Sequence, residues 1–101
     1  MSVVVVAVLT PKPDRRGEVR AALVEAVEAT HHEPGCELYS LNENDGAFVF
    51  VERWASREAL DAHLAGPVLK KLGAVFADAV VDSNVQILSP VAAGDPAKSS
   101  V

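Results

Sequence analysis

The pattern of hydrophobic and polar residues predicts four strands and two helical regions in the order β-α-β-β-α-β. Runs rich in β-branched and aromatic residues predict strands at residues 3–10, 36–43, 47–54 and 81–89. Apolar residues at helical spacing predict helices at residues 15–32, 57–64 and 68–79. This order is typical of the ferredoxin-like α+β fold, in which helices cover one face of an antiparallel four-stranded sheet.

Short polar, glycine and proline motifs mark the ends of these elements. Asp14 is expected to cap the first helix, and Pro34 is expected to end it. The Asn-Asp-Gly sequence at residues 44–46 predicts a hairpin turn between the second and third strands. Ser56 is expected to cap the second helix, and Pro67 suits the first turn of a further helical segment.

Both faces of the third strand are apolar. Because successive side chains alternate, Phe48 and Phe50 point to one face, and Val49 and Val51 point to the other. The first strand is apolar throughout, so we expect it to be buried on both faces. Helices on one side leave the second face of the sheet bare. The pattern therefore predicts a homodimer, or a higher oligomer, in which a second copy covers that face.

Length, charge and cysteine content narrow the class of protein. The 101 residues suit one domain, residues 1–90, followed by a small-residue tail, residues 91–101, that is flexible or packs on a partner subunit. A net charge of -5 argues against nucleic-acid binding. A single cysteine suits a reducing cytoplasm. The first apolar run is too short to span a membrane and lacks a basic leader, so no membrane association is expected.

The segment THHEPGC, residues 30–36, holds residue types found in metal and nucleophilic sites. His31 and His32 are adjacent, so they diverge by about 100° on a helix, and no second cysteine is present. No metal site is therefore expected. Cys36 lacks an evident Cys-His-Asn set and is predicted to be a small buried side chain. The segment is predicted to end a helix and form a turn.

Glu52 and Trp54 share the predicted face of the third strand with two phenylalanines. A carboxyl group in an apolar row must be paired, hydrogen-bonded or raised in pKa. One interpretation pairs Glu52 with Arg53 or Arg57, and the other gives it a role in a site. Trp54 is either a core anchor or the wall of a pocket.

His63 borders the apolar stripe of the second helix. It is either a satisfied core residue or a base facing a pocket, because the unperturbed pKa of histidine suits proton transfer near neutral pH. Tyr39 either contributes a hydroxyl to the same pocket or completes the core. The sequence contains no glycine-rich phosphate loop and no Ser-His-Asp order.

Four stretches over roughly residues 3–90 resemble the antibiotic biosynthesis monooxygenase (ABM) family. They are VVAVLTPKPDRRGEVRAAL, EPGCELYSLNE, FVFVERWASREALDAHLAGP and SPV. An E-P-G-C turn, an E-x-W strand end and an L-x-x-H helix together carry the resemblance. The family implies a dimeric α+β barrel of ferredoxin-like protomers. It also implies oxidation of quinols or polyketides by O2 without metal, flavin or haem, so no cofactor is expected.

The resemblance also implies roles for particular residues. An electron-rich phenol or hydroquinone would enter an apolar cavity, lose a proton and reduce O2 directly. His63 would be the base, and Glu52 would orient the substrate or a partner group. The residues expected to contact the substrate are Trp54, Phe48, Phe50, Leu60, Phe76 and Tyr39.

Departures from related activities limit this interpretation. Haem-degrading members of the superfamily use an Asn, a Trp and a His where this chain has Val6, His63 and Gly73, which disfavours haem degradation. We therefore expect a cofactor-independent monooxygenase of quinol-like or aromatic polyketide-like molecules. The alternatives are a non-catalytic module that binds a hydrophobic small molecule, and a stress-related protein whose dimer surface matters.

Overall fold

A four-stranded antiparallel sheet with helices along one face forms the body of the chain, as described for residues 2–101 by a computed structural model. The strands are β1 (Val3–Pro11), β2 (Cys36–Glu43), β3 (Phe48–Trp54) and β4 (Val80–Leu88). The helices are α1 (Arg16–Thr30), α2 (Arg57–Leu64) and α3 (Pro67–Ala79). The strand order is β2-β3-β1-β4, with every neighbouring pair antiparallel. The predicted ferredoxin-like α+β fold is confirmed.

The entry to α1 differs from the prediction. Asp14 was expected to cap the helix, but it lies inside a 3-10 turn, Pro13–Arg15, and the N-cap position is held by Arg15 without a side-chain hydrogen bond. Pro13 fixes its own φ and begins this tight turn, which closes through a 2.9 Å bond from Arg15 N to Lys12 O. The turn displaces the start of the helix beyond the reach of Asp14.

The other predicted end signals are confirmed. Ser56 Oγ accepts a 3.1 Å hydrogen bond from Ala59 N at the start of α2. Pro67 is the first residue of α3. In the hairpin between β2 and β3, Asn44 Oδ1 accepts a 2.9 Å bond from Gly46 N, which stabilises the turn.

The core lies between the helices and one face of the sheet. Cross-strand pairs such as Ala7 with Phe50 and Leu9 with Phe48 place large and small apolar side chains side by side on this face. Leu23 of α1 and Leu60 of α2, both with no exposed surface, pack onto it. The alternation of the sequence is therefore matched by burial, and it fixes the register of the sheet.

The opposite face of the sheet carries a small cluster of partly exposed valines. Val6 pairs with Val51 and Val8 pairs with Val49 across β1 and β3, and all four side chains are half-buried. We call these four residues the valine patch. The expected burial of both faces of β1 is thus met only in part, because Val4 on this face is 4% exposed whereas Val6 and Val8 are half-buried. Among residues 2–101 no helix lies over the valine patch, because α1, α2 and α3 pack on the other face.

The loop between α1 and β2 packs closely on α2. Gly35 has φ +81°, and a Cβ atom at this position would lie 2.5 Å from the Cβ atom of Ala59. Ala55 N donates a 2.8 Å hydrogen bond to Gly35 O, which joins the loop to the end of β3. Only glycine combines this backbone conformation with so close an approach. The close approach brings residues of the loop next to side chains of α2.

Beyond β4, residues 89–101 form no helix or strand and are exposed. A hydrogen bond of 2.5 Å from Arg53 Nη1 to Val101 O connects the end of this segment to β3. The predicted boundary at residue 90 and the packing of the tail on a partner stay predictions.

Candidate active site

A cavity of about 80 Å³ lies between the sheet and the helices α2 and α3. Side chains from all four strands and from both helices form its wall, and most of them are apolar. Three groups that can exchange protons line it: Tyr39 from β2, Glu52 from β3 and His63 from α2. Leu64 and Val85, with 44% and 53% of their surface exposed, lie at its rim.

His63 is held by a carboxylate from the loop after α1. Its Nδ1 atom lies 2.9 Å from Glu33 Oε1, and the side chains are 2% and 24% exposed. A carboxylate only accepts hydrogen bonds, so this pair is formed when the ring carries its proton on Nδ1. In the neutral ring, Nε2 is then left with a lone pair. This is the arrangement that a general base requires.

Aromatic rings fix the plane of the His63 imidazole. The Trp54 ring stacks on it at a centroid distance of 4.6 Å and an angle of 31°. The edge of Tyr39 meets it at 5.3 Å and 70°. Tyr39 also packs on Phe50 at 4.7 Å, so these rings form one continuous group beside the cavity. The imidazole therefore has little freedom to rotate.

Glu52 is buried and accepts a hydrogen bond from a tryptophan. Its Oε1 atom lies 2.9 Å from Trp54 Nε1, and only 5% of the residue is exposed. The expected ion pair with Arg53 or Arg57 is wrong, because those arginines pair with carboxylates on the exterior. Arg53 points to the opposite face of the sheet, as alternation along β3 requires. Trp54 follows Glu52 by two residues, so the two side chains lie on the same face of β3.

Two polar atoms of residues that line the cavity have no hydrogen-bond partner among residues 2–101. Among residues 2–101, Thr30 Oγ1 is the one fully buried side-chain polar atom without a hydrogen-bond partner. His63 Nε2 and Glu52 Oε2 have no hydrogen bond in that part of the chain, so each keeps accessible surface. Both residues line the same cavity. A bound molecule could therefore contact both groups.

Burial dominates the proton affinities of the groups around the cavity. It raises the pKa of Glu52, an effect that the Trp54 N–H and the charge on His63 partly offset. Burial, together with the charge on Glu52, also raises the pKa of Tyr39, so its hydroxyl stays neutral near pH 7. The pKa of the half-buried Cys36 thiol is raised chiefly by burial, which disfavours the reactive thiolate.

The structure brings together five of the eight residues expected to form a site. His63, Glu52, Phe50, Phe76 and Tyr39 line the cavity. The remaining residues belong to the core around it rather than to its wall; they are Trp54, Phe48 and Leu60. Trp54 is behind the site, where it holds the His63 ring and the Glu52 carboxyl. The role of each residue in binding or catalysis stays a prediction.

Comparison with known proteins decides the family. The family model described as antibiotic biosynthesis monooxygenase matches residues 2–74 of the chain. The chain belongs to this family. The match covers β1 through most of α3, and thus every residue of the Glu33–His63 pair and of the Trp54–Glu52 pair.

Two relatives are similar to part of the chain. The relative named "Putative monooxygenase Rv0793" from Mycobacterium tuberculosis is 42% identical over 67 residues, 64% of this chain and 66% of its own length. The uncharacterized protein sll1783 from Synechocystis sp. is 38% identical over 68 residues, 64% of this chain and 46% of its length. The chain thus matches less than two thirds of either relative.

Solved ABM structures extend the likeness to the whole fold. The structure of Rv0793 aligns with a TM-score of 0.86 at 33% identity, covering 94% of this chain and 100% of that one. A crystal structure described as an antibiotic biosynthesis monooxygenase aligns with a TM-score of 0.83 at 32% identity, covering 89% and 99%. The fold of the ABM domain is therefore shared along nearly all of the chain.

Glu33 is the site residue that the sequence pattern did not reveal. Glu33 belongs to the segment THHEPGC, but the two histidines of that segment do not contact the site: His32 is exposed, and His31 Nε2 lies 3.0 Å from Tyr39 O. Glu33 and His63 are 30 positions apart. The E-P-G-C turn contains Glu33, and the L-x-x-H helix contains His63. Both motifs belong to the family resemblance, but the resemblance does not indicate that the two residues are in contact.

The described residues contain neither a group of metal ligands nor a membrane-crossing helix. No group of three or more His, Cys, Asp or Glu side chains within residues 2–101 is arranged to hold a metal ion. In the same range, no helix has the length and apolar character needed to cross a bilayer.

Replacement of Glu52 by Gln should change the pH dependence of stability. The pKa of Glu52 is raised in the folded protein, whereas in the unfolded chain it is about 4.3. At pH values between these two pKa values, the folded protein therefore binds more protons than the unfolded chain. The free energy of unfolding should therefore fall as the pH rises through the window between the two pKa values, and stay reduced above it. Glu52→Gln keeps an acceptor for Trp54 and removes this loss.

Urea unfolding at several pH values between 4 and 8 measures the effect. We expect Glu52→Gln to exceed the wild type in stability near pH 7 and to match it at the acid end. The exposed residue Glu58, replaced by Gln, is the matched control and should leave the wild-type profile unchanged. Parallel profiles for wild type and Glu52→Gln would contradict the assignment of a buried, perturbed carboxyl.

Proposed function

We propose that the protein is a cofactor-independent monooxygenase of electron-rich phenols, either quinol-like or aromatic polyketide-like. The observation that carries the proposal is a histidine that lines an apolar cavity and whose Nδ1 lies 2.9 Å from Glu33 Oε1, with no hydrogen bond to its Nε2 from residues 2–101. Membership of the ABM family and the likeness to a relative named as a monooxygenase support it. Neither of these identifies the substrate.

His63 acts as the base in the proposed reaction. Nε2 takes the proton of a phenolic hydroxyl, which leaves an electron-rich phenolate in the cavity. The phenolate transfers one electron to O2, and the resulting radicals combine to a peroxide at a ring carbon. Nε2 returns its proton to the peroxide, and loss of water from the hydroperoxide, with the hydrogen of that ring carbon, gives a quinone carbonyl, so one oxygen atom enters the product and the other leaves as water. The substrate supplies all of the electrons.

Glu52 orients the substrate on the other side of the cavity. Burial raises the pKa of Glu52, which favours its protonated form. In that form Oε1 accepts from Trp54 Nε1 and the Oε2 hydroxyl is free to donate to a substrate oxygen. A base and a hydrogen-bond donor in one cavity suit a ring with two oxygen substituents.

The apolar wall supports the chemistry by excluding water. Electrostatic interactions strengthen in a dry site, and reactive oxygen intermediates are protected from side reactions. The volume of about 80 Å³ is below the roughly 300 Å³ of common ligand pockets, so the substrate must open the cavity further. The partly exposed rim residues Leu64 and Val85 are the side chains that can move with least loss of packing.

The small cavity also favours a second candidate function. A module that binds a hydrophobic small molecule without reaction would need the same apolar wall and no proton transfer. In that case His63 and Glu52 would only select ligands with hydroxyl groups. Activity measurements on His63 variants distinguish this function from the enzymatic one.

We further propose that the protein is a homodimer of the α+β barrel type and acts in the cytoplasm. Full burial of a valine stabilises by about 1.5–3 kcal/mol, and the four-residue valine patch is half-exposed in one chain. Polar residues flank the valine patch on β2 and β4, as expected for an interface core with a polar rim. The lone, unpaired Cys36 suits a reducing compartment.

Oxygen consumption with a hydroquinone such as menadiol, together with incorporation of ¹⁸O from ¹⁸O2 into the product, tests the enzymatic proposal. The wild type should exceed the buffer rate, and His63→Gln should lose about 10²–10⁴-fold of the enzymatic rate, because glutamine can still donate to Glu33 but is not a base. The exposed His32, replaced by Gln, is the matched control and should retain the wild-type rate. Equal rates for wild type, His63→Gln and buffer would contradict the proposal for this substrate class.

Light scattering coupled to size-exclusion chromatography tests the dimer. The wild type should have twice the chain mass of 10.6 kDa. Val6→Asp should give the mass of a single chain, since a charge in the valine patch cannot be buried without a partner. Val24→Asp, at a residue that is 40% exposed on α1, is the control and should remain dimeric. A wild type that elutes as a single chain would refute the dimer.

A further inference from the structure

We propose that Glu33 is the positioning residue for His63, and that its carboxylate fixes the imidazole in the tautomer with the proton on Nδ1. The Nδ1 to Oε1 distance of 2.9 Å is the direct evidence for this pairing. The inference rests on the proposed function only where it predicts an effect of Glu33 on the rate of oxidation. The tautomer itself is a property of the folded protein and can be measured without substrate.

The backbone around Glu33 is fixed by hydrogen bonds on both sides. Glu33 N donates to Thr30 O at 2.9 Å, which continues the last turn of α1 into the loop. Cys36 N donates to Glu33 O at 3.2 Å, which closes the Pro-Gly turn before β2. The carboxylate therefore projects from a short, closed loop rather than from a long flexible segment, and less entropy is lost in holding it in place.

The same loop is held against the helix that carries His63. Gly35 approaches Ala59 so closely that any side chain at position 35 would collide with it. Ala59 and His63 are four residues apart in α2, so they lie on the same side of the helix. The contact at Gly35 therefore sets the distance between the loop and His63, and with it the hydrogen bond from Glu33.

The ring environment leaves the tautomer as the main remaining variable. Stacking on Trp54 and the edge contact with Tyr39 hold the plane of the imidazole. These are contacts between rings, and neither of them is a hydrogen bond to an imidazole nitrogen. The carboxyl of Glu52 bonds to Trp54 instead. Glu33 is thus the group that decides which nitrogen carries the proton, and Nε2 is presented to the cavity as an acceptor.

Imidazole ¹⁵N NMR of the wild type, of Glu33→Ala and of Glu58→Ala tests the inference. At a pH where His63 is neutral, the wild type and the Glu58→Ala control should show protonated Nδ1. Glu33→Ala should shift the signals towards the Nε2-protonated form, because the acceptor that selects Nδ1–H is gone. If oxidation of a hydroquinone is detected, its kcat/KM should fall about 10²-fold in Glu33→Ala and not in Glu58→Ala.

Each outcome separates this inference from the proposed function. Protonated Nε2 in the neutral wild type would overturn the inference even if Glu33→Ala failed to fold. An unchanged tautomer in folded Glu33→Ala would overturn it as well. A tautomer shift without any oxidation by the wild type would sustain the positioning role and count against the monooxygenase proposal instead.

Discussion

The hydrogen bond between Glu33 and His63 connects the parts of the molecule on which the candidate site depends. Glu33 belongs to the loop after α1, and His63 belongs to α2, so the bond ties together elements that are 30 residues apart. It exists because Gly35 allows the loop to approach Ala59 without a side chain between them. Without that approach, a nearly fully buried histidine would lack its partner, which is costly in an apolar core.

The remaining polar groups of the core follow the same constraint. Glu52 is buried in an apolar row and is tolerated because Trp54 donates to it and because burial raises its pKa. The Trp54 ring then stacks on His63, so the two polar pairs are adjacent and share one aromatic group. The result is a small apolar cavity with a histidine on one wall and a carboxyl group on another.

Much of the fold could be predicted from the sequence, because it follows from local patterns. The strand alternation around Phe48 and the cap at Ser56 each depend on residues close in the chain. Asp14 was predicted wrongly because Pro13 creates a tight turn that competes with the cap. The contacts of the site were less accessible. Glu52 has arginines nearby in sequence but a tryptophan as its partner, and Glu33 reaches His63 only through the folded loop.

The most direct test of this account is a crystal structure with 1-naphthol, a phenol of the proposed substrate class, bound in the absence of O2. The account predicts the naphthol ring between the sheet and α3, with its hydroxyl oxygen about 2.6–3.2 Å from His63 Nε2 and with Glu33 still bonded to Nδ1. Naphthol bound only outside the cavity, or an empty cavity at millimolar naphthol, would contradict the claim that His63 and its partners form a substrate site.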